Sequence, residues 1–187
     1  MKSIAQTLNE ISNNFSSLAE KSVPSIEEAS KMIVESLKNG GKIMFCGNGG
    51  SASDAQHLSA ELVGRYMKNR KPLASVALTT DTSIITAISN DLSFDNIFSR
   101  QVESIGGEGD ILYAISTSGK SQNIINALKV AKKLNIKTLG ITGSDDSSNK
   151  KICDLVISVP ALRPDRIQEM HIAVGHIICE ILEEELC

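Results

Sequence analysis

The stretch "CGNGGSASDAQHLSAELVGRY", residues 46–66, places Asp54, His57, Glu61 and Arg65 at steps of three, four and four. On a helix that spacing lines one face, with Ala55, Leu58 and Leu62 on the neighbouring apolar face. His57 and Glu61, one turn apart, can hold a single metal ion between them. A stripe of charges facing water is the ordinary explanation of such a pattern. Position argues against it here, because the helix opens directly behind the glycine-rich turn "CGNGGS" and its first turns border whatever that turn holds. A second set lies in "DRIQEMHIAVGH", residues 165–176. At about 100° per residue, Asp165, Gln168 and His176 fall within a face of about 80°, while His171 points about 140° away from His176. Of the two, His176 is the candidate and His171 is not. Whether the two helices meet is not written in either segment.

Two loops look built for a ligand. "CGNGGSASDAQ", residues 46–56, and "STSGKS", residues 116–121, each follow an apolar strand-like run and lead into a helical pattern. Each offers the free N–H groups of a helix N-terminus beside serine hydroxyls, a combination suited to a phosphate. "AISTSGKS" falls short of a nucleotide P-loop because Ala114 stands where its first glycine belongs. Gly47, Gly49 and Ala52 satisfy a dinucleotide fingerprint, but a dinucleotide has no need of the polar stripe that follows. Turn formation and helix capping would explain either loop alone but explain the pair poorly.

The elements that must position these residues follow from periodicity. Ile4, Leu8, Ile11, Phe15 and Leu18, then Ile26, Ala29, Ile33 and Leu37 after Pro24, predict a helical hairpin over residues 1–39. Its narrow seam suits packing within one subunit or against another, and an oligomer is expected. From residue 40 the runs "KIMFC", "LASVALT", "DILYAI", "IKTLGI" and "DLVISV" alternate with helical stretches. Buried strands separated by helices predict a doubly wound α/β layer with a five-stranded parallel sheet, flavodoxin-like in type. A long, largely buried helix runs from Pro164 to about Glu185. No linker divides the chain, so residues 1–187 form one domain, the hairpin followed by an α/β core over 40–187.

Composition narrows the partners. The net charge of −3 with scattered lysines and arginines leaves no footprint for nucleic acid or an anionic membrane. No apolar run is long enough to span a bilayer or to serve as a secretory signal, so a cytoplasmic location is expected. Cys46, Cys153, Cys179 and Cys187 form no CxxC pair and are expected to be reduced structural thiols. With no Trp, polar side chains and backbone must do the recognition.

"CGNGGSASDAQHLSAELVGRY", "SND" at 89–91, "STSGKS" and "DRIQEMHIAVGH" together resemble the bacterial phosphoheptose isomerases, a branch of the SIS (sugar isomerase) fold, and the likeness runs nearly end to end. The resemblance implies conversion of sedoheptulose 7-phosphate to D-glycero-D-manno-heptose 7-phosphate, the entry step to the heptose of lipopolysaccharide and capsule. It implies a cytoplasmic homotetramer with sites at subunit interfaces. It further implies that Ser116, Thr117, Ser118 and Ser121 hold the phosphate, and that Asn48, Gly49, Gly50, Ser51, Asn90 and Asp91 line the sugar, with Arg65 and Asp165 nearby. The implied zinc ligands are His57, Glu61, Gln168 and His176, one ion per site.

The chemistry of the set agrees. Moving a carbonyl between C2 and C1 needs a proton taken from one carbon and returned to the other through an enediol. Glu61 is the candidate for that shuttle, with His176 moving the hydroxyl proton or polarising the carbonyl oxygen. Because Gln is a poor zinc ligand, partial occupancy of the metal is expected. The rival is a non-catalytic SIS module, either a sugar-phosphate sensor or a partner of the replication initiator. Presence of all four metal residues favours the enzyme.

Overall fold

The computed structural model describes residues 3–144 and 151–187. Two helices, α1 (Ile4–Lys21) and α2 (Val23–Lys38), form the hairpin. Ser3 caps α1 through a reciprocal capping box with Gln6, and Pro24 occupies the first turn of α2, where its missing N–H costs nothing. Then come β1 (Ile43–Gly47), α3 (Gly50–Val63), β2 (Ser75–Ala77), α4 (Thr82–Asp91), α5 (Ser99–Ile105), β3 (Ile111–Ile115), α6 (Gln122–Lys133), β4 (Lys137–Thr142), β5 (Leu155–Ser158) and α7 (Pro164–Leu186). A short 3₁₀ turn, Phe94–Asn96, joins α4 to α5.

All strand pairs are parallel, in the order β2-β1-β3-β4-β5. Side chains alternate across the sheet. Ile43, Phe45, Ile111, Tyr113 and Ile115 face a core with α2, α3 and α7, whereas Met44, Cys46, Leu112 and Ala114 face a second core with α5 and α6. β1 and β3 lie side by side, with Gly47 opposite Ile115, so the loops leaving them open at the same carboxyl edge. There the strand order reverses, the position where ligands bind in such sheets.

The hairpin is part of the first core through Leu18, Ile26, Ala29, Ile33 and Val34. The outer end of α1 is not: Ile4 and Leu8 remain 82% and 59% exposed. Among the described residues, no helix is long and apolar enough to cross a membrane. Cys46, Cys153 and Cys179 are buried and Cys187 is exposed, all four as free thiols.

Candidate active site

The first loop turns on Gly49, whose φ of 58° lies in the left-handed region that a side chain would strain. Neither α3 nor α6 has a side-chain cap, since Gly49 has none to offer and the Ser121 hydroxyl makes no capping bond. Both helix N-termini therefore face the carboxyl edge with N–H groups to give. The loops are tied together: Asn48 and Asn123 exchange reciprocal amide hydrogen bonds of 2.9 Å. In the second loop, buried Ser116 accepts from the Gly119 amide and exposed Ser118 accepts from the Lys120 amide. The Thr117 carbonyl accepts from the Gly143 amide at 3.1 Å.

The two polar helix faces do meet. α7 runs beside α3 and packs closely at Gly175, where an added Cβ would lie 2.5 Å from Leu58 Cδ2. One residue further on, His176 Nε2 stands 3.0 Å from His57 Nε2. His57 Nε2 is also 3.2 Å from Glu61 Oε1. The three donor atoms lie within 4.8 Å of one another. Two nitrogens held at about 2.05 Å by a tetrahedral zinc would be about 3.3 Å apart, so two imidazoles and a carboxylate in this arrangement fit a zinc site with one position open. The Tyr66 ring covers His176 in a stacked arrangement, centroids 5.5 Å apart.

Asp54, one turn before His57, has a buried Oδ2 with no hydrogen-bond partner among the described residues. Desolvation pushes its carboxyl up to about 6, partly offset by His57. Gln168 lies against Gly50, its Nε2 2.5 Å from where a Cβ would be, about two turns before His57. Asp165 is exposed and paired with Arg163 at 2.6 Å and Arg166 at 3.2 Å. Arg65 is exposed just beyond the end of α3. Asn90 and Asp91 are exposed at the end of α4, and their one side-chain hydrogen bond among the described residues, 2.8 Å, is to each other. His171 is buried, and neither ring nitrogen has a hydrogen-bond partner among the described residues.

Sequence reasoning missed three contributors: Asn123, which fixes Asn48, and the pair Arg70 and Glu183. Glu183 accepts from the Tyr66, Met67 and Lys68 amides and from Arg70 Nε, all within 2.7–2.9 Å. Burial alone would raise its carboxyl, but those donors together hold it down at about 2. In the sequence, Glu183 is one of three consecutive glutamates and carries no mark of burial.

Known proteins share this fold and much of this sequence. The SIS domain family matches residues 7–143. The phosphoheptose isomerase of Aliarcobacter butzleri is 56% identical over 86% of this chain and 85% of its own length, and that of Rhodospirillum rubrum 52% identical over 88% and 87%. A solved phosphoheptose isomerase from Neisseria gonorrhoeae superposes with a TM-score of 0.90 at 41% identity over 97% of both chains. One from Francisella tularensis gives 0.93 at 35% identity over 97% of this chain and 96% of that one. With the sheet order, the two tied loops and the clustered His57, Glu61 and His176 all in place, the chain belongs to the SIS domain family, in its phosphoheptose isomerase branch.

Proposed function

We propose that the chain converts sedoheptulose 7-phosphate to D-glycero-D-manno-heptose 7-phosphate through an enediol. The observation that carries this reading is the meeting of Glu61 and His176, 115 positions apart in the chain, in one cluster whose α3 members follow the first of the two tied loops. The phosphate sits in the turn of Ser116, Thr117, Ser118 and Ser121, at the uncapped start of α6. Asn48, Gly49, Gly50 and Ser51 meet the sugar hydroxyls from the tied neighbouring loop.

The Glu61 carboxylate takes a proton from C1 of the ketose, and the electron pair moves into a C1–C2 double bond, which leaves the C2 oxygen as an enediolate. His176 transfers the proton from the C1 oxygen to the C2 oxygen. Glu61 then returns its proton to C2, which leaves an aldehyde at C1 and restores both side chains. His57, Glu61 and His176, with Gln168 as a weaker fourth, would hold a zinc ion. When bound, zinc supplies Lewis-acid stabilisation of the enediolate oxygens.

A homotetramer with sites at subunit interfaces belongs to the same reading. It is supported by the exposed apolar side chains of Ile4 and Leu8 on α1, which water alone does not favour. In that assembly Asn90, Asp91, Arg65 and Asp165 complete the sugar site. A cytoplasmic role in supplying heptose for lipopolysaccharide or capsule fits this activity.

The test is incubation of purified protein with sedoheptulose 7-phosphate, following aldose formation by NMR with and without added zinc. Conversion is expected. Binding without conversion under both conditions would instead favour a sugar-phosphate-binding module.

A further inference from the structure

A buried charge pair behind the cluster is not used by the chemistry above. The side chains of Arg70 and Glu183 are each only 2% exposed, and Arg70 Nε meets Glu183 Oε1 at 2.8 Å. Buried ion pairs are weak devices for stability, because desolvating two charges offsets most of their attraction. What this pair does uniquely is connect. Arg70 Nη2 donates to the Glu61 carbonyl at 2.8 Å and Nη1 to the Leu62 carbonyl at 2.9 Å, which fixes the last turn of α3 where Glu61 sits. Glu183 gathers the amides of Tyr66, Met67 and Lys68 onto the final turns of α7. That grip sets the backbone from which the Tyr66 ring lies on His176.

We propose that Glu183 and Arg70 are positioning residues for the isomerase reaction, a clamp that locks the end of α3 to α7 and sets Glu61 and the Tyr66-covered His176 in register. The proposal rests on the isomerase reading. Neither residue touches substrate. Their effect passes through the backbone of Glu61 and the ring of Tyr66. General acid–base catalysis is sensitive to such register, and a misplacement of about 1 Å can cost about a hundredfold in rate.

The test compares wild type, Glu183→Gln, Arg70→Lys and Tyr66→Leu. Two readouts are taken: kcat and KM for sedoheptulose 7-phosphate, and the His176 ring signal in ¹H–¹³C NMR, which is easily assigned because the chain has three histidines. Tyr66→Leu defines the His176 shift when the ring contact is gone. Glu183→Gln and Arg70→Lys are expected to move the His176 signal toward that value. They should lower kcat by about ten- to a hundredfold and leave KM within about twofold, since the phosphate loop is untouched. The Glu183→Gln/Tyr66→Leu double variant should lose little more than the worse single one.

A His176 signal and kcat at wild-type values in folded Glu183→Gln would overturn the clamp. So would a kcat loss with the His176 signal unmoved, which marks a merely structural role. Should Glu183→Gln fail to fold, Arg70→Lys decides on the same two readouts. Wild type without turnover would sink the isomerase reading, while the NMR shifts would still decide the clamp.

Discussion

Glu61 is the residue whose loss separates chemistry from binding most cleanly. Glu61→Gln keeps the size of the side chain and a carbonyl oxygen near His57, but cannot take a proton from C1. Turnover should fall by at least about a hundredfold with melting temperature and phosphate affinity unchanged, read from the NMR conversion assay. Ser118→Ala acts at the other end of the substrate. The Ser118 hydroxyl is exposed and accepts only the Lys120 amide among the described residues, so its removal should disturb the fold little and show chiefly as a raised KM. An unchanged KM would remove Ser118 from the phosphate site. His57, Glu61 and His176 were legible because helical phase is a property of the sequence itself, which also separated His176 from the buried His171. Arg70 and Glu183 were not legible. A charge that is buried and paired has the same letter as one in water, and what buries it comes from over a hundred residues away.

At the scale of elements, the decisive event is the approach of α7 to α3. Gly175 permits it, since any side chain there would press on Leu58, itself only 2% exposed. Gly175→Val should therefore cost about 1–3 kcal/mol through overpacking, seen as a lower melting temperature. It should also pry His176 from His57 and Glu61, so that zinc affinity measured by titration falls along with turnover. Retained zinc affinity would mean that the helices accommodate the side chain without parting. The strands themselves were readable from their apolar runs, "DILYAI" and "IKTLGI" falling within one residue of β3 and β4. The helix crossing was not, because periodicity gives each element a buried face but does not say which other face it meets. α4 carries Ile84, Ile85 and Ile88 yet has no buried residue within the chain.

Across the whole molecule, the sheet divides two cores, and α7 closes the one beneath the active site. His171 lies in that closure at 1% exposure, beside β4. Burial lowers its imidazole to about 4, an effect that the Thr142 backbone partly offsets without closing a hydrogen bond to either ring nitrogen. The unfolded chain takes up a proton near pH 6.5 and the folded chain resists doing so until about 4, so stability falls as pH drops through that window. A shift of this size corresponds to on the order of 3 kcal/mol, lost progressively from about pH 6.5 to about pH 4. Asp54, raised to about 6, works in the opposite direction between its unfolded value of 3.8 and 6, but it is half solvated and its share is smaller. Glu183, held near 2, adds acid sensitivity only below its unfolded value of 4.5. The net expectation is a melting temperature that declines from pH 6.5 to pH 4 in wild type. Replacing the imidazole by an uncharged side chain of similar bulk, His171→Leu, should flatten that decline without altering turnover at neutral pH, because His171 points away from the catalytic pair. A variant that declines as steeply as wild type would place the acid-sensitive group elsewhere in the molecule.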